Sequence, residues 1–87
     1  MSDTPIHLVP MDAALVDELC DRAGRIAFDS YTVLREIDGF RESRTPWDAR
    51  RLANALWNDH RFDPVVAELD KLAHERAGLD PAGWRTP

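Results

Sequence analysis

Residues 12–39 read DAALVDELCDRAGRIAFDSYTVLREIDG. Apolar or small side chains recur at Val16, Leu19, Cys20, Ala23, Ile26, Ala27, Ser30, Val33, Leu34 and Ile37. Glu18, Arg22, Arg25, Asp29, Thr32 and Glu36 form the opposite stripe. Steps of three and four residues are the period of a helix with one buried face. Glycine inside a helix costs about 1 kcal/mol relative to alanine, but the phase does not slip at Gly24. The pattern therefore predicts one continuous helix from Asp12 to Asp38. Asp12 supplies an oxygen for its N-cap. Glu18–Arg22 and Asp21–Arg25 stand four residues apart, as favourable pairs do. Gly39 suits the left-handed position that closes a helix.

The flanking segments punctuate themselves. Thr45 is followed by Pro46 and Asp48, an N-cap, a first-position proline and a first-turn acid. They open a helix over 46–60 that buries Ala49, Leu52, Ala53, Leu56 and Trp57. Asp63-Pro64 repeats the start for a helix over 64–77, with Val65, Val66, Leu69, Leu72 and Ala73 inward and Gly78 as its stop. Asp80-Pro81 opens a short turn carrying Trp84. Residues 1–10 hold Pro5 and Pro10 and should be extended or irregular, with Ile6, Leu8 and Val9 free to dock. No stretch alternates as a strand does. The expected fold is all-α: a small three-helix bundle, one domain over 1–87, with a long N-terminal helix and a C-terminal tail over 79–87.

A chain of 87 residues buries roughly 60% of its unfolded surface, so the core is small and a partner could add stability. A single cysteine, Cys20, excludes an internal disulfide. The start MSDTPIHLVPM lacks the basic and long apolar regions of a secretory leader. No apolar run approaches the ~20 residues of a membrane span. A cytoplasmic protein without membrane contact is expected. The net charge is −5, and all of it lies in residues 1–40, which hold eight acids and three arginines; residues 41–87 hold eight of each sign. An acidic half disfavours nucleic acid and favours a partner with a basic surface.

Candidate chemistry is sparse. His7, His60 and His74 share no metal-ligand spacing with each other or with Cys20, and zinc wants four convergent ligands or three plus water. His60 is expected at a helix C-terminus. Cys20 lies on the apolar stripe beside Asp17 and Asp21, which disfavour a thiolate, so it reads as an inert core thiol. Asp17 and Asp21 have no second acidic cluster to complete an acid–base or cation site. No catalytic, cofactor or metal residue is expected, and no enzyme activity. Arg41, Arg44, Arg50 and Arg51 form the one basic cluster. The two proline-led helices invite a helix-turn-helix reading, but the second carries Glu68, Asp70 and Glu75 against Lys71 and Arg76, the wrong balance for approaching phosphates.

The segment Pro46-Trp47-Asp48-Ala49-Arg50, with Leu52, Ala53, Ala55 and Leu56 following, resembles the Pro-Trp-Glu-Ala-Arg helix of nitrile hydratase β subunits and their small activator proteins. That resemblance implies a small subunit of a multi-subunit enzyme. The residues themselves point to protein binding. Phe28 and Tyr31 stand beside the main stripe, and aromatic residues anchor interfaces. The expected protein-binding residues are Asp17, Asp21, Phe28, Asp29, Tyr31, Trp47 and Trp84. The expected role is a non-catalytic inhibitor or adaptor of a larger partner, the character of small acidic phage inhibitors of bacterial defence. A homodimer through the same face would need the arginines of residues 41–51 to cross over and offset the acids.

Overall fold

The computed structural model describes residues 4–81 and 85. Among them the chain forms four α-helices: α1 Ala13–Ile26, α2 Tyr31–Ser43, α3 Pro46–Leu56 and α4 Asp63–Ala77. Single 3-10 turns at Ile6–Leu8 and His60–Phe62 precede α1 and α4. The all-α class holds; the long N-terminal helix does not. It breaks after Ile26, and Ser30 caps a new helix by accepting a hydrogen bond from the Val33 amide at 3.4 Å.

The break has a packing cause. A helix over 12–38 would be about 40 Å long at 1.5 Å per residue, and α3 and α4 are too short to cover it. Folding it back lets both arms share the core. Met11 N–H donates to the Arg44 carbonyl at 2.6 Å, so the start of α1 meets the end of α2 and the two form an antiparallel hairpin. The connection over 27–30 is close to one helical turn, which is why the stripe keeps its phase across it.

Gly39 does not end a helix. The α2 helix runs on to Ser43, because Phe40 is fully buried and holds the last turn in the core, and Arg44 takes the left-handed position with φ 59°. The start signal at 45–48 performs as read, the Thr45 hydroxyl accepting from the Asp48 amide at 3.1 Å, and Gly78 closes α4 with φ 67°. At 63–64 the helix does start, but Asp63 is its first residue rather than its cap; the cap position is Phe62, and no side chain caps it. The α3 helix stops at Leu56, so His60 begins a 3-10 turn rather than ending a helix.

The core is one cluster in which Val16, Leu19, Cys20 and Ala23 of α1 meet Ile37 and Phe40, Leu52 and Leu56, and Val65 and Leu69. Phe40 and Phe62 are its largest fully buried side chains. Trp57, read from the sequence as core, is only half-buried at the edge of the cluster.

Candidate functional site

The elbow between α1 and α2 places Phe28 and Asp29 in the connection and Tyr31 at the first position of α2. Phe28 is 74% exposed and Tyr31 78%. A chain that buries two other phenylalanines leaves these rings in water because the core-facing positions are taken by Ala27, Val33 and Leu34. Next to the elbow, α1 and α2 part to leave a groove of about 500 Å³. Cys20, Leu34 and Ile37 line it with the open backbone of Gly24, and Phe28 stands at its rim. Its charged lining is Asp21 and Arg25 from α1, Asp38 and Arg41 from α2.

Cys20 is buried, and its thiol lies 3.7 Å from the Ile37 carbonyl. Burial pushes its pKa up from the ordinary 9.0; nearby Arg41 opposes that, and Asp17 and Asp21 add to it. The thiol is protonated at neutral pH and lacks the thiolate character of a nucleophile.

Phe28, Asp29 and Tyr31 come together at the elbow. Asp17 and Asp21 lie further back along α1 and face Arg41, whose guanidinium reaches Asp21 at 3.0 Å and Asp17 at 4.0 Å. Trp47 lies elsewhere. It begins α3, just after the end of α2, so the 13 residues of α2 separate it from the elbow by about 20 Å. There it is 47% exposed and packs its ring 5.4 Å from that of His7, which belongs to the segment that also holds exposed Ile6, Leu8 and Val9. Trp84 falls outside the described residues.

The basic cluster dissolves on folding. Arg41 serves Asp21, Arg51 lies near Glu36 and Asp48, and Arg50 is buried. Three of the four arginines close in sequence thus lie against acids, and Arg44, half-buried, closes α2.

The sequence reading missed where Arg50 goes. With 8% of its side chain exposed, it donates to the Asp70 carboxylate and to the Leu79 carbonyl. Arg85, 6% exposed, donates to both oxygens of the same carboxylate at 3.0 and 3.1 Å. This knot ties α3, α4 and the C-terminal segment together. Burial lowers the Arg50 pKa, Asp70 opposes that, and Arg85 adds to it. One signal was available: Arg50 falls among the buried Pro46, Ala49 and Ala53 of α3, and a charge on such a face needs a partner.

Among the described residues no group of three His, Cys, Asp or Glu side chains converges as a metal site would require. His60 pairs with Asp63 and His74 with Asp80, each locally. No described helix is long and apolar enough to cross a membrane. A comparison with protein-family models, with curated proteins and with solved structures finds no match.

Proposed function

We propose that the chain is a non-catalytic protein-binding module, a small inhibitor or adaptor that acts by docking on a larger protein. The observation that carries this reading is the pair of aromatic rings at the α1–α2 elbow, left in solvent beside a groove. Exposed aromatic side chains at a groove are the material of interface anchors. The acidity of the hairpin supports a partner with a basic surface. Asp12, Glu18, Asp38 and Glu42 are exposed on it and make no ion pair with an arginine among the described residues, while Arg22 is committed to Glu68 at 3.2 Å. Such a field steers encounter more than it holds a complex.

The test is comparative cross-linking and mass spectrometry in an extract of the native host, with the unaltered chain and with Phe28→Ala, Tyr31→Ala and Trp47→Ala. The expected result is a protein captured by the unaltered chain and lost with at least one aromatic change, each variant keeping its helical circular dichroism. Capture that survives all three changes refutes the reading.

A further inference from the structure

We propose that the α1–α2 groove receives a second copy of this chain, the two related by a two-fold axis. The proposal rests on the reading of this hairpin as a binding surface and names one occupant for it. Three observations carry it.

The first is shape. Phe28, four residues after Gly24 in the connection that follows α1, lines the groove and is largely exposed. At Gly24 an added Cβ would meet nothing within 4 Å, so the wall is open there. A projection beside a hollow is what an isologous contact requires, since each copy then offers the ring that the other lacks.

The second is charge. The groove carries two acids and two bases and is neutral, although the hairpin around it is acidic. Arg41 is occupied by Asp21. Arg25 on one wall and Asp38 on the other make no side-chain hydrogen bond or ion pair among the described residues. A two-fold copy turns the walls about, so Arg25 of each molecule faces Asp38 of the other. Two ion pairs form without Arg41, Arg50 or Arg51, which already lie against acids.

The third is the position of the remaining apolar surface. Ile6, Leu8, Val9 and Trp47, each exposed, belong to the segments that meet at the far end of the hairpin, clear of the elbow. A dimer through the groove leaves them free on both copies for a heterologous partner, and two linked sites bind a multivalent target with gained avidity.

Sedimentation equilibrium of the full chain across the micromolar range tests this. A reversible monomer–dimer equilibrium is expected. Arg25→Glu and Asp38→Arg each set like charges opposite one another and should weaken self-association by at least about tenfold. An equimolar mixture of the two variants should recover it, because in the mixed dimer every position 25 faces an opposite charge at position 38. Phe28→Ala should weaken it by about thirtyfold. Gly24→Leu fills the hollow at a site with room in the folded monomer, so it should keep its helical spectrum and lose the dimer. A chain that stays monomeric throughout, or a mixture that fails to recover, overturns the proposal. If the chain is monomeric and Phe28→Ala still abolishes capture of a foreign protein, the groove belongs to that protein: the dimer falls and the binding-module reading stands.

Discussion

Replacing Asp70 by asparagine should be the most damaging near-isosteric change available in this chain. Asp70 accepts from Arg50 and, through both oxygens, from Arg85. The knot holds one carboxylate and two guanidiniums, so its charge is already positive. Asp70→Asn keeps the shape, removes the anion to which both guanidiniums donate, and points amide hydrogens at groups that have no lone pairs to offer. The Nε atoms of both arginines already lack a hydrogen-bond partner among the described residues, leaving little to rearrange around. Removing one partner of a buried ion pair costs about 3–5 kcal/mol. The lower end applies here, since 22% of the Asp70 side chain is exposed. Total stability for a chain of this length is on the order of 4–13 kcal/mol, so the loss is a large share of it. At roughly 4–8 °C per kcal/mol for a domain of this size, about 3 kcal/mol lowers Tm by about 12–24 °C. Thermal circular dichroism measures this, and urea unfolding with an unchanged m-value confirms that the folded state is what changed. Arg85→Met is the control. It leaves Arg50 and Asp70 as a neutral pair, and should cost about 1 kcal/mol or less, near the net value of an ordinary hydrogen bond. If Asp70→Asn costs under about 1 kcal/mol, or Arg85→Met costs as much as Asp70→Asn, the charge argument is wrong.

The helix glycines should respond with opposite signs. Gly39 sits inside α2 with open space where a Cβ would go, so Gly39→Ala should stabilise by about 0.5–1 kcal/mol. Gly78 holds φ 67°, so Gly78→Ala should destabilise by about 1 kcal/mol or more; chemical denaturation of both decides it. Cys20 makes stability sensitive to alkali. Its folded pKa lies above 9.0, so between 9.0 and the folded value the unfolded chain binds fewer protons than the native one. Stability is full below pH 9 and falls as the pH rises through that window. Urea midpoints of the unaltered chain should drop there relative to their neutral value more than those of Cys20→Ala, and equal drops refute the assignment.

How much of this was legible beforehand depends on whether the deciding information is local. Capping chemistry is local, and the capped start at Thr45-Pro46 and the stop at Gly78 are where the sequence puts them, while α4 starts one residue early, at Asp63, with no side-chain cap. The all-α class follows from the period of the stripe, which is local too. Whether α1 and α2 are one helix is not. A four-residue connection advances the chain by about one turn, so an amphipathic stripe reads through the break with its phase intact. Only the comparison of lengths, a 27-residue helix against partners about half as long, argues for folding back. The same limit applies at Gly39, a good stop by its own chemistry that is overruled because Phe40 is worth more in the core than a helix end one residue earlier.

The site divides along the same line. Phe28, Asp29 and Tyr31 are near neighbours in sequence and end up together whatever the helices do, so composition was enough to single them out. Trp47 could join them only through tertiary geometry, and the hairpin carries it to the opposite end. Charge shows the point most sharply. Arg41, Arg44, Arg50 and Arg51 look like one basic patch, but Arg41 and Arg50 answer acids twenty residues away, Asp21 on one side and Asp70 on the other. Once those pairs are made, the charges left open in the groove are Arg25 and Asp38, one of each sign on facing walls. An acidic half-chain therefore folds into a hairpin whose groove is neutral and patterned. Patterned neutrality favours a surface that repeats the same pattern in reverse, which a two-fold copy of the chain supplies without any further design.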